Sequence, residues 1–179
     1  MGATTADLRA LVEDHRATSP REETARARFL AELAALDAPC DELAWPTHVT
    51  ASGIVVGRRG TVLHRHKRLG IWMQPGGHID AGEGPADAAR REATEELGLD
   101  VAHPGGGPRL IHVDVHEAAL GHTHLDLRYL LLGPDADPSP PPGESPDARW
   151  YDWDEAMAVA DPALADALPV ARSAYEGLR

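Results

Sequence analysis

The chain has 179 residues, enough for one domain with a substantial core. Its formal net charge is −12, from 17 Lys and Arg against 29 Asp and Glu, which disfavours a nucleic-acid polymer as partner, because such binding rests on basic residues meeting phosphates. No apolar run reaches the roughly 18 residues of a membrane helix, the N-terminus lacks a secretory signal, and Cys40 is the single cysteine, so a cytoplasmic protein with no membrane partner and no internal disulfide is expected.

Residues 1–40 read as a helical extension and 41–179 as the main domain. In the first helix Leu8, Leu11 and Val12 recur at helical spacing. A second helix has Ser19 as N-cap, Pro20 at its first position and Glu22 completing a capping box, with an apolar stripe of Phe29, Leu30, Leu33 and Leu36. These helices carry no obvious chemistry and serve packing or dimerisation. "DAPCDELAWP" is a connector, and Cys40 within it is a poor candidate nucleophile.

"THVTASGIVV" and "TVLHRH" read as strands around the turn "GRRG", and "GIWMQP" as a short third strand. "GGHIDAGEG" is a glycine-bounded loop. Pro85 opens the helix "PADAARREATEEL" and Gly98 closes it. Downstream, Ile111, Val113 and Val115 alternate with His112, Asp114 and His116. Leu125, Leu127, Tyr129 and Leu131 alternate with His124, Asp126 and Arg128, which predicts a β-hairpin. "GPDADPSPPPGESPDA" is a loop, "RWYDWDEAMAVA" passes from strand to helix, and a last helix starts at the N-cap Asp161. Trp72, Trp150 and Trp153 read as core residues rather than stacking platforms. Strands and helices mix without clean βαβ alternation, so the class is α/β sandwich or α+β.

On the helix after the loop, Glu92, Glu95 and Glu96 share one face. Ala86, Ala89, Ala93 and Leu97 make the opposite, packing face. Like charges at this spacing destabilise a helix by tenths of a kcal/mol. A solvated acidic face would explain them, but such a face normally intersperses lysines at i+4, and this helix has none. A hard dication would turn the repulsion into a ligand set. Glu83 in the loop and Arg91 on the helix form a candidate strut.

Gly77, Glu83, Arg91, Glu92, Glu95, Glu96, Gly98 and Leu99 stand in the register of the Nudix box, with Ala93 a small residue at its aliphatic position. This stretch resembles the Nudix hydrolase superfamily, and the strand pattern extends the match from about residue 47 to 153. The resemblance implies an α/β fold, specifically a Nudix-type α/β/α sandwich with a mixed sheet, here with an N-terminal helical extension. It implies hydrolysis of a nucleoside diphosphate linked to another group, with Mg²⁺, or alternatively Mn²⁺, as cofactor. The partner is then a small phosphorylated nucleotide derivative, and homodimers are common among such proteins. By position, Glu92, Glu95, Glu96 and the Gly76 carbonyl are the implied metal ligands, with Glu144 as a further ligand from a late loop. Glu92 is the implied water-activating group, with Arg91 and Glu83 supporting it.

Two polar stretches are candidates for reading the substrate. One is the basic run before the box with His64 and His66, continued to His78. The other is the hairpin face of His112, Asp114, His116, His124, Asp126 and Arg128. A zinc site among the hairpin histidines is the weaker reading, because no tight ligand spacing appears there. Two rival functions remain. One is a Nudix-fold sensor that binds without hydrolysing. The other is an enzyme resembling isopentenyl diphosphate isomerases, which would need a cysteine near the box where this chain has "WMQPGGH".

Overall fold

The computed structural model describes residues 2–43, 46–118 and 121–178. Part of the connector (residues 44 and 45) and of the hairpin turn (119 and 120) lies outside these. The strands are β1 (Thr47–Gly57), β2 (Gly60–Arg65), β3 (Trp72–Met73), β4 (Gly76–His78), β5 (Leu110–Glu117), β6 (Thr123–Leu132) and β7 (Ala148–Tyr151). They form one mixed sheet in the order β3-β2-β1-β6-β5, with β4 also paired to β1 and β7 to β2. β1 and β6 are parallel over a long register, Thr47 opposite Thr123 through Val56 opposite Leu132. The other pairings are antiparallel.

Side chains alternate across a strand, so the parallel pair has two faces. On one, Val49, Ala51, Leu125, Leu127 and Tyr129 join Val113 in a core. This face is covered by α1 (Thr5–Asp14) and α2 (Pro20–Leu33) through Leu8, Val12, Phe29 and Leu33, and by α3 (Pro85–Leu97) through Ala88 and Ala89. On the other, Ile54, Val56 and Leu130 pack under α4 (Trp153–Val159) and α5 (Pro162–Glu176). Helices on both faces make the layers α/β/α. The N-terminal helices are part of this core. Four fully buried side chains at about 1.5–3 kcal/mol each contribute on the order of 6–12 kcal/mol.

Several expectations shift on inspection. "GGHIDAGEG" opens with a strand: Gly76, Gly77 and His78 pair with Ser52, Ala51 and Thr50. Helix α2 ends at Leu33, short of Leu36. On α3, Ala88 is buried where Ala86 is only partly so. Gly98 takes the left-handed conformation, φ 61°, that ends α3.

The capping box at Ser19 is half formed. The Ser19 hydroxyl accepts from the Glu22 amide, but the Glu22 carboxylate is used elsewhere. It accepts from the amide of Val113 on the sheet's edge strand (3.0 Å) and of Thr18 (2.6 Å), and meets His15 Nε2 at 2.6 Å. Burial alone would raise its pKa; these donors instead hold it at about 2. One buried carboxylate thus satisfies an edge-strand donor and pins α2 to the sheet.

Candidate active site

Helix α3 presents its acidic face to β4. Glu96 Oε2 accepts the Gly76 amide at 2.9 Å and lies 3.8 Å from His64 Nε2. Glu92 lies directly against Gly77: a Cβ there would stand 2.7 Å from its carboxylate. Glycine at 77 is therefore what lets strand and glutamate approach.

Arg91 holds the group together. Its Nε and Nη2 donate to both oxygens of Glu83, Nη1 to Glu92 (2.7 Å) and Glu95 (3.3 Å), and Nη2 also to the carbonyl of His78 (2.9 Å). The Glu83 carboxyl is partly buried, which disfavours its charge, yet Arg91 holds it below the ordinary range. Glu95 is exposed and Glu144 sits 3.9 Å from Lys67 Nζ.

Electrostatically the site is under tension. Burial, then the charges of Glu92 and Glu144, push Glu96 up to about 7. Burial also raises Glu92, against the pull of Arg91. Carboxylates that raise one another's proton affinity suit a cation, and an all-oxygen set suits a hard one such as Mg²⁺. In charge and donor type the residues present therefore fit a divalent ion, while their oxygens are drawn to the Gly76 amide and to Arg91 rather than to one point.

A cavity of about 720 Å³ begins at Gly76 and Gly77 and extends over the uncovered polar end of the sheet. Its floor is His48, Thr50 and Ser52 of β1 with His124, Asp126 and Arg128 of β6. Asp114, His66 and His78 also line it. Arg128 donates through Nε to Asp126 (3.0 Å) and through Nη2 to Asp114 (3.1 Å), while its buried Nη1 meets no protein acceptor among the described residues. Burial, then neighbouring His116 and His48, push His124 down to about 4.

Two substrate candidates stand apart from this cavity. His112 is fully buried on β5, 3.4 Å from Asp166 of α5, after the irregularity between Leu110 and His112. His64 faces Glu96 instead, and burial pushes it down to about 4. His66 lies beyond the end of β2, where its Nδ1 accepts the Arg68 and Leu69 amides. Cys40 packs against the opposite core, away from the cavity.

Sequence reasoning missed His48, Thr50, Ser52 and Arg21, which also line the cavity. The signal for the first three was present, since polar residues at 48, 50 and 52 alternate with Val49 and Ala51. Arg21 bonds Asp114 at 2.9 Å from an element that shows no chemistry by itself.

A strand–loop–helix carboxylate cluster thus stands beside the cavity that begins at Gly76 and Gly77. The family model for the NUDIX domain matches residues 46–173, and the chain belongs to that family, whose members generally use divalent metals to cleave pyrophosphate bonds. A NUDIX-family hydrolase from Clostridium perfringens is 28% identical, with a TM-score of 0.60 over 71% of this chain and 97% of its own. An Ap4A hydrolase from C. elegans shares the fold at 21% identity, TM-score 0.58, over 72% of this chain and 97% of its own. A UDP-X diphosphatase shares it at 16% identity and TM-score 0.56 over 99% of this chain and 98% of its own, so that likeness takes in the N-terminal helices.

Proposed function

We propose that this enzyme hydrolyses the diphosphate linkage of a small nucleotide derivative, with Mg²⁺, or Mn²⁺ in its place, as cofactor. The observation that carries the reading is Glu96: a buried carboxylate, pushed up to about 7 by burial and two more carboxylates, next to a cavity large enough for a nucleotide.

In this reading Glu92, Glu95, Glu96 and Glu144 hold the ion with the Gly76 carbonyl. When bound, the ion stabilises charge on phosphate oxygens and acidifies a water. Glu92 would take the proton of the water whose oxygen bonds to phosphorus, as the bridging P–O bond breaks and its oxygen leaves on the departing phosphate. Arg91 and Glu83 keep the loop against the helix. Arg128 offers Nη1, the buried donor without a protein acceptor, to a substrate oxygen, and Asp114, Asp126 and Arg21 keep its guanidinium in place. His66, His78 and His124 line the rest of the substrate's path.

The acidic residues of the box are all present, which favours hydrolysis over a sensor that only binds. The isomerase reading lacks its cysteine, because Cys40 packs on the far side of the sheet. Among the described residues no helix is long and apolar enough to cross a membrane.

The test is product analysis after incubation with nucleoside triphosphates, dinucleoside polyphosphates, nucleotide sugars and ADP-ribose in Mg²⁺. Turnover concentrated in one class supports the reading and names the substrate. Binding of such compounds without turnover in Mg²⁺ or Mn²⁺ supports the sensor.

A further inference from the structure

The cavity floor holds a cluster of imidazoles that the hydrolysis does not use as a group. His48 on β1 and His124 on β6 are register partners across the parallel pair. His78 comes from β4, on the other side of β1, where it pairs with Thr50. Ring centroids are 4.8 Å apart for His48 and His124, 5.0 Å for His48 and His78, and 5.7 Å for His78 and His124. One ligand nitrogen from each lies within 4.8 Å of the others. Among the described residues this is the set of three that converges so closely; the box glutamates, drawn to Arg91 and to the Gly76 amide, do not.

We propose that His48, His78 and His124 form a second metal centre, separate from the glutamates of α3, that takes a borderline transition-metal dication such as zinc and keeps an open position toward the cavity. Tetrahedral zinc at about 2.0–2.1 Å from each imidazole needs nitrogens about 3.3 Å apart. The present spacing is within a small swing of His78, which is half exposed at the cavity rim. The ligands' backbones cannot drift, because β1 hydrogen-bonds to both β4 and β6.

A second observation supports the same ligand. His78 Nδ1 lies 3.2 Å from Glu42 Oε2. That carboxylate–histidine pairing fixes the tautomer and raises the basicity of a metal-bound imidazole. His116, whose ring is 5.4 Å from that of His124, is paired to Asp114 in the same way at 3.0 Å. Donor chemistry separates the two centres: imidazoles suit zinc, cobalt, nickel or copper, whereas the carboxylates of α3 suit magnesium or manganese. All three histidines line the cavity, so the ion's open position would take an anionic oxygen of whatever the cavity holds. The hairpin alone could not reveal such a site, since its ligands come from three separate strands.

The experiment is titration of metal-stripped protein with Co²⁺ in excess Mg²⁺, followed by visible absorption and calorimetry, then competition with Zn²⁺. About one Co²⁺ per chain with an imidazole-type spectrum, displaced by Zn²⁺, is the expected result. His124→Ala and His78→Ala should lose it, Glu42→Gln should weaken it about 10- to 100-fold, and Glu96→Gln should keep it. His78 and Glu42 are exposed enough that their variants fold even if His124→Ala does not. No Co²⁺ uptake by the wild type would overturn the proposal. Uptake lost in Glu96→Gln but kept in His78→Ala would also overturn it, by placing the ion at the glutamates. Neither outcome depends on hydrolysis, so failure here is distinguishable from failure of the proposed activity.

Discussion

Arg91 and Glu83 form a two-point ion pair across the loop before α3, with Nε 3.1 Å from Oε1 and Nη2 2.9 Å from Oε2. The same guanidinium reaches Glu92, Glu95 and the His78 carbonyl, so one side chain sets the position of loop, strand and acidic helix face. Arg91→Lys keeps the charge and loses the fork. It is expected to lower kcat roughly 10- to 100-fold with the far-ultraviolet dichroism unchanged. A wild-type kcat would mean the fork is dispensable.

Glu96 must lose its proton before it can take a cation. Burial and the charges of Glu92 and Glu144 push it up to about 7, so Mg²⁺ affinity should climb between about pH 6 and 8 and level off above. The stability of the metal-free protein should run the other way. The folded pKa is above the ordinary value of 4.5, so the folded state binds more protons between about pH 4.5 and 7, and stability falls as pH rises through that range and levels off above it. Calorimetric Mg²⁺ titrations and melting curves at several pH values check both. Glu96→Gln should flatten both trends.

Glu22 predicts an acid-side weakness of opposite sign. Its folded pKa of about 2 lies below the ordinary 4.5, so its contribution is full above pH 4.5 and fades as pH falls toward 2. At about 1.4 kcal/mol per unit, the charged form contributes about 3 kcal/mol at neutral pH. Urea unfolding should show Glu22→Gln less stable by roughly that amount at pH 7, with the gap closing at low pH. A constant gap would show that shape, not charge, matters there.

Arg128 calls for a conservative variant. Alanine would leave Asp126 buried beside no cation, at about 3–5 kcal/mol, and would strip Asp114 of one of its partners, with Arg21 and His116 remaining. Arg128→Lys keeps a charge but loses the buried Nη1 donor. Steady-state kinetics should show KM raised roughly tenfold, about 1.4 kcal/mol, with kcat little changed. Unchanged constants would leave Arg128 a structural partner of the two aspartates.

The legible parts of this molecule were local ones. Pro85, Gly98 and the spacing of Glu92, Glu95 and Glu96 define α3 and its acidic face within one helix. The hairpin's alternation showed which side chains share a face from His112 onward, but the irregularity between Leu110 and His112 turns Ile111 to the α5 side, away from Val113 and Val115. Strand β4 was hidden because Gly76 and Gly77 pair through backbone alone, with no side-chain pattern to read. Glu22 looked like a cap because its reach to Val113 on β5 crosses 91 positions of sequence. His48 was overlooked in a strand read for its apolar residues, and its partners His78 and His124 arrive from two other strands. His112 shares its strand with Asp114 but lies under α5 rather than in the cavity.

The most direct measurement is the turnover of Glu96→Gln beside the wild type, in saturating Mg²⁺, on whichever nucleotide derivative the wild type cleaves. Removing one ligand charge should lower kcat by at least about 100-fold, while melting in the absence of metal stays equal or improves. A variant that folds and turns over at the wild-type rate would contradict the assignment of the α3 glutamates as the metal-holding centre of the reaction.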